Sequence, residues 1–355
     1  MHQYHFDDPI RARFHGCLLA GAAGDALGAP VEFMSRSEIL DRFGAGGINR
    51  FAPAYGRLGA ITDDTQLALF TAEGLLLGWE QGCRTGQSCL VRATHEAYQR
   101  WLLTQEETPG PRGIEPGEAQ EGWLLAHPEL HSRRGPGATC LAALAFPRGP
   151  GVGADNDRKG CGGVMRVAPV GLFMWRPGEA ASLDATFRLG AALAGLTHGH
   201  PTGRLSAGVA AVLVQLLLHG RSLAAALAQA RALLVRHAGH EETLEALTQA
   251  ELLASSALPR PMAIAALGQG WVAEEALAIA VYCALVAESL EDGVVLAVNH
   301  DGDSDSTGAI AGQLLGAMHG AEAIPGEWLA QLELREAIAD AAERLYRYWT
   351  VRMPG

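Results

Sequence analysis

The chain reads as an all-α protein, a single compact domain of orthogonally packed helices around a central cleft. Three observations predict this. Ala/Leu-rich stretches with helical spacing fill residues 180–196, 203–219, 222–238, 240–256, 272–289 and 327–349. Gly, Pro or Ser punctuates them where helices begin and stop. No run of alternating apolar and polar residues is long enough for a strand. No repeat with a period of about 20–50 residues is convincing, although helix pairs dominate.

The first element spans Arg11 to Val31. Small residues at 16, 20, 21, 24 and 28 fall mostly on one face and permit close helix packing. Asp25 is a carboxylate in an otherwise apolar helix, so it needs a partner, such as the backbone amides of a neighbouring loop. Glu32 follows Pro30 on a turn. Residues 34–60 read as loop. Residues 65–82 and 88–104 read as helices. The span 105–136 is rich in Pro, Gly and Glu and reads as an insertion loop within one domain of residues 10–352.

Two segments carry the chemistry. Ile61-Thr62-Asp63-Asp64-Thr65 places two carboxylates between hydroxyls at the start of an apolar helix. The stretch from Asn299 to Gly308 repeats the design with Asp301, Asp303, Ser304, Asp305, Ser306 and Thr307, followed by an apolar helix. Either could be an ordinary acidic cap, since Asp and Ser are preferred there. Adjacent carboxylates repel, however, and a cation shared by both segments removes the repulsion. Four carboxylates balance two divalent cations and leave positions open for water. An EF-hand is excluded, because Ser306 stands where that loop needs Gly and Gly312 where it needs Glu.

Between these segments lies Asp157-Arg158-Lys159-Gly160-Cys161-Gly162-Gly163. A Gly-rich turn with basic residues exposes backbone amides suited to a diphosphate, although a tight chain crossing would use the same glycines. It is neither a Walker A loop nor GxGxxG. Thr197-His198-Gly199-His200 is a turn whose histidines could bind metal, but satisfied or stacking histidines are commoner.

Composition sets the outer limits. The chain has 355 residues, 48% of them hydrophobic, enough for a large core. A net charge of −12 argues against nucleic acid as the main partner. The six cysteines form no CxxC pair, which favours reduced thiols in a cytoplasmic protein over disulfides or zinc. The N-terminus is acidic and lacks a signal-peptide pattern. No uncharged apolar run reaches the length of a membrane span. A monomer without membrane association is expected.

Together these motifs resemble the ADP-ribosylglycohydrolase family, which includes the dinitrogenase reductase-activating glycohydrolase and the ADP-ribosylarginine hydrolases. The resemblance runs from about Phe14 to Gly320, through Gly24-Asp25-Ala26-Leu27-Gly28-Ala29-Pro30-Val31-Glu32, Thr62-Asp63-Asp64-Thr65, Gly160-Cys161-Gly162-Gly163-Val164-Met165-Arg166, Thr197-His198 and Gly302-Asp303-Ser304-Asp305-Ser306-Thr307-Gly308. It implies an all-α fold holding two Mg2+ or Mn2+ ions. The implied metal ligands are Thr62, Asp63, Asp64, Asp303, Asp305 and Ser306. The implied catalytic residues are Glu32, near the scissile ribose, and Asp303. Asp157, Arg158, Lys159, Gly160, Cys161, Gly162 and Gly163 correspond to the loop that grips ribose and diphosphate, and His198 to a histidine near the adenosine side. Ser306 stands where Thr is usual, and Arg158 replaces a smaller residue. Cys161 stands where many relatives have Asn; the arginine-cleaving branch also carries Cys.

The resemblance implies a hydrolase that releases ADP-ribose from modified proteins, with arginine as the acceptor. Alternatives are another linkage (serine, a nucleic-acid base or an ADP-ribose ester) or a non-catalytic ADP-ribose or toxin binder serving immunity. The intact carboxylates argue against pure binding.

Overall fold

The computed structural model describes residues 6–114, 122–178 and 182–348. Among them are sixteen α-helices and no strand, only two isolated bridges, Ala54 with Arg57 and Gly160 with Val272. The helices are α1 (Pro9–Gly28), α2 (Arg36–Phe43), α3 (Asp63–Thr85), α4 (Leu90–Thr104), α5 (Ala138–Ala145), α6 (Ala168–Met174), α7 (Leu183–Gly195) and α8 (Pro201–Leu218). They continue as α9 (Leu223–Leu234), α10 (Glu241–Ala254), α11 (Arg260–Leu267), α12 (Ala273–Val286), α13 (Leu290–Val298), α14 (Ser304–His319), α15 (Gly326–Gln331) and α16 (Arg335–Arg347).

The body is built on α1 against α14. Helix α1 starts because Asp8 accepts from the Ile10 amide and Pro9 occupies a first-turn position where no amide is needed. From Phe14 to Gly28 it is buried on every side. Its small residues let the backbone of α14 come into contact. A Cβ on Gly16 would lie 2.5 Å from the Gly316 carbonyl oxygen, and one on Gly24 would lie 2.0 Å from that of Gly308. A Cβ on Gly28 would lie 2.4 Å from the Ser304 carbonyl oxygen. The pairing runs antiparallel, so the C-terminal end of α1 meets the N-terminal end of α14. Asp25, the Glu32 turn and the 303–306 carboxylates are thereby drawn to one place.

Helix α8 is apolar and long enough to cross a membrane by composition, with mean hydropathy 1.4, yet 89% of it is buried in the body. It packs against α6, α7 and α12, and its apolar character reflects that central position.

Four departures from the expected elements have local causes. Residues 34–60 are not all loop: α2 forms on a capping box between Ser35 and Glu38. Only Ile39 of that helix is buried, so no apolar period marks it. The 272–289 helix ends at Val286, and a further helix, α13, starts from a Ser289 cap. The 327–349 helix is two helices, broken around Leu334, which takes a left-handed φ of 55°. The span 105–136 includes residues 122–136, which pack into the body through buried Leu124, Leu130 and Arg134.

Candidate active site

Helices α3 and α14 present their N-terminal turns to one cleft of about 370 Å³. Thr62 caps α3, accepting from the Asp64 amide at 3.3 Å, and its hydroxyl donates to Asp64 Oδ2 at 3.3 Å. Asp303 caps α14, accepting from the Ser306 amide at 3.3 Å. The same amide donates to Asp305 Oδ1 at 3.0 Å. Asp63, Asp64, Asp303, Asp305 and Ser306 all line the cleft, while Thr62 stands behind Asp64. The two segments predicted to share a site do meet.

Asp25 belongs to the same assembly. Its fully buried carboxylate accepts from the Thr62 amide at 3.0 Å, the Thr65 amide at 3.2 Å and the Thr65 hydroxyl. It therefore serves the free amides at the start of α3, as expected for a buried carboxylate in an apolar helix. Glu32 reaches the cleft from the turn after α1.

So many buried carboxylates cannot all be charged without counterions. Burial, then the Asp305 charge, pushes Asp25 up to about 7. Burial, then the charges of Asp305, Asp303 and Asp63, pushes Glu32 up to about 10. Burial and the Asp305 charge hold Asp63, Asp64 and Asp303 well above the usual carboxylate range. Asp305 is raised by burial.

The Gly-rich loop divides. Gly160, Cys161 and Gly162 line the cleft, and the Cys161 thiol donates to Asp303 Oδ2 at 2.8 Å. Burial and the Asp303 charge push that thiol up, so it stays protonated. His198 lines the cleft beside Gly160 and Gly162, its Nδ1 within 2.8 Å of the Thr197 hydroxyl, which accepts from Arg166. Burial, then the Arg166 charge, lowers His198 to about 3, so the ring is neutral. It is a satisfied histidine that also faces the cleft. His200 instead caps α8, where its Nδ1 accepts from the Thr202 amide.

The remaining loop residues do not reach the cleft lining. Lys159 is ion-paired with Glu242 at 2.7 Å and with Glu274, so its charge is already matched. Asp157 and Arg158 are exposed. Gly163 is a packing glycine, for a Cβ there would lie 3.0 Å from that of Ala194. The expected basic clamp on a diphosphate is thus absent from these side chains, and any grip here falls to Gly160, Gly162 and their neighbours' backbone.

Sequence reasoning missed part of the wall. Phe33 and Trp271 stack with centroids 5.2 Å apart at the cleft edge. Residues 135–139 form another side, and a Cβ on Gly135 would lie 3.7 Å from Glu32 Oε2 and 3.9 Å from Asp63 Oδ1. The Gly135-Pro136-Gly137 triplet was the available signal, but it straddles the end of the 105–136 stretch that read as an insertion.

A divalent cation fits the donor set, which is made of hard oxygens. Asp64 Oδ1 is buried without a hydrogen-bond partner, the kind of orphan an ion would satisfy. As they stand, no three His, Cys, Asp or Glu side chains among the described residues converge tightly enough to hold one ion. The carboxylates line the cleft and would turn inward to do so.

The raised carboxylates give the site a stability signature. In the folded state they hold protons that the unfolded chain releases near pH 4. With the folded state binding more protons, stability falls as pH rises from that range through about 7 and beyond. Chelator-treated protein is therefore expected to melt at a higher temperature at pH 5.5 than at pH 8, and Mg2+ or Mn2+ is expected to raise the midpoint most at pH 8. Melting curves at the two pH values check this; a flat midpoint in chelator contradicts it.

An all-α body with a carboxylate-lined cleft between two helix N-termini offers a polar site suited to a polar ligand. The chain belongs to the ADP-ribosylglycohydrolase family, whose profile matches residues 7–354. It is an enzyme of the glycosyl hydrolase class. It is 26% identical to the ADP-ribosyl-[dinitrogen reductase] glycohydrolase of Rhodospirillum rubrum, over 92% of each chain. It is 27% identical to the ADP-ribosylarginine hydrolase Tri1 of Pseudomonas putida, over 94% of this chain and 78% of that one. It is 25% identical to ADP-ribosylhydrolase ARH3 of Homo sapiens, over 95% and 93%. A solved ADP-ribosylglycohydrolase-related protein complex superposes with a TM-score of 0.63 at 26% identity, covering 95% of this chain and 98% of that one.

Proposed function

We propose that this chain removes ADP-ribose from arginine side chains of modified proteins, using two divalent cations, Mg2+ or Mn2+. The observation that carries the reading is the buried set of Asp63, Asp64, Asp303 and Asp305 with Glu32 at its edge. The arginine acceptor is supported by the likeness to an ADP-ribosylarginine hydrolase and by Cys161 beside Asp303.

When bound, the cations would hold the ribose diol and lower the pKa of a coordinated water. Thr62, Asp63, Asp64, Asp303, Asp305 and Ser306 would hold them. Glu32 stands where it can take and hold the proton of an attacking water. Neutralising the aspartates would remove the like-charge part of its raised pKa and leave the burial part, which suits a group exchanging protons near neutral pH. Neutral His198 and the Gly160–Gly162 backbone would face the ligand without adding charge.

The direct test incubates purified protein and Mg2+ with ADP-ribosylated arginine, serine and nucleic-acid substrates and measures released ADP-ribose. Release from arginine alone supports the reading. Release from serine or nucleic acid moves the acceptor. Tight ADP-ribose binding without release leaves only the binder.

Glu32→Gln is expected to slow turnover by about 10²–10⁴-fold, the usual worth of a positioned acid or base. Mn2+ binding should survive, because Glu32 sits on a separate turn from the paired aspartates. A wild-type rate on a modified protein would remove Glu32 from the mechanism.

A further inference from the structure

We propose that Glu333, which lies outside the cleft, is a positioning residue that sets the orientation of Asp63; the inference rests on the cation reading above. Glu333 sits in the break between α15 and α16, and its side chain is 1% exposed. Its carboxylate gathers three separate parts of the chain. Oε1 accepts from Arg134 Nη2 at 3.1 Å and from Arg57 Nη1 at 2.7 Å. Oε2 accepts from Arg134 Nη1 at 3.1 Å and from the Ile61 amide at 3.1 Å. Its own amide donates to the Gly59 carbonyl at 2.9 Å.

Two of these contacts, Ile61 and Arg134, lead to Asp63 by a short route. Ile61 immediately precedes the Thr62 cap of α3. Arg134, held two-pronged, turns its backbone carbonyl to the Asp63 amide at 3.0 Å. Three residues on, the Gly137 amide donates to Asp63 Oδ2 at 3.2 Å. The strap 132–137 thus grips Asp63 at both its amide and its carboxylate. Other bonds help locate the strap: Arg134 Nε donates to Ser132 Oγ at 2.9 Å, Gln66 Nε2 donates to the Ser132 carbonyl at 3.1 Å, and the exposed Arg133 Nη1 donates to Glu107 Oε1 at 3.3 Å. None of them matches the charge of Arg134. A buried guanidinium that loses its carboxylate partner is left as an uncompensated charge and loses the two-pronged bond that orients it. Groups that orient a ligating side chain through such contacts govern metal affinity although they never touch the ion.

The control is another deeply buried ion pair, one anchored on α3. Glu73 of α3 pairs with Arg100 at 2.9 Å and accepts from the Leu124 amide at 2.9 Å, and none of the three lines the cleft or bonds to Asp63. Calorimetric titration of Mn2+ into the parent, Glu333→Gln and Glu73→Gln proteins, each with a melting curve, separates positioning from stability. Both variants are expected to melt lower. Glu333→Gln alone is expected to raise the Mn2+ Kd about tenfold or more, while Glu73→Gln keeps the parent value. Arg134→Lys keeps the cation but loses the two-pronged grip, and it is expected to weaken Mn2+ binding less than Glu333→Gln does. Parent-like Kd in Glu333→Gln, or in Arg134→Lys should the first variant not fold, overturns the inference and leaves the cation site standing. A parent that takes up no Mn2+ removes the cation site, and this inference with it.

Discussion

Asp303→Asn is expected to abolish turnover, by about 10³-fold or more, while leaving the fold intact. The two effects part because Asp303 does two separable jobs. As the cap of α14 its side chain accepts from the Ser306 amide, and Asn caps a helix about as well as Asp. As a member of the carboxylate set it supplies charge that Asn cannot. Lewis-acid assistance is worth several kcal/mol in a transition state, which sets the size of the loss. In chelator the variant should melt no lower than the parent, since a buried carboxylate that must either take up a proton or repel Asp305 is gone. With Mg2+ the parent should gain stability and the variant should not. Paired melting curves and an ADP-ribose release assay check all three statements. Metal-dependent stabilisation that survives in Asp303→Asn would remove this residue from the cation site.

Gly24→Val is expected to cost about 3 kcal/mol or more, or to prevent folding. The reason is the crossing of α1 on α14. A Cβ at Gly24 would stand 2.0 Å from the Gly308 carbonyl oxygen and 2.4 Å from its carbon. Those are backbone atoms of a buried helix, so nothing flexible can yield. The helices would have to separate, and with them Asp25 and the 303–306 turn. A matched control is Gly46→Ala, where an added Cβ meets nothing within 4 Å and the change should stay within about 0.5 kcal/mol. Denaturant unfolding of both variants decides it. A Gly24→Val midpoint near that of the parent would mean that the crossing is far softer than its geometry.

The helical class was legible because helix periodicity and capping are local, and so was the convergence of the 62–64 and 303–306 segments. Each showed hydroxyls and carboxylates ahead of an apolar run, and adjacent like charges at a buried helix start demand compensation. Asp25 was legible as a buried acid in want of a partner, and it found amides at the start of α3. Helix α2 was not legible, because a short charged helix with one buried side chain leaves no apolar period.

What the sequence by itself determined is therefore the all-α body, the two acidic helix starts and the Glu32 turn. Only the tertiary structure decided which basic residues serve the site. Lys159 looked like a phosphate clamp beside glycines, but Glu242 and Glu274 come to it from distant helices and match its charge. Arg134 falls in the stretch read as an insertion loop and Glu333 in the 327–349 helix, yet they pair in the interior behind Asp63. A cap or a helical period is set by neighbours within one or two turns and is written in adjacent letters. The partner of a buried charge is set by which elements the packed helices bring together, and no local pattern records that choice.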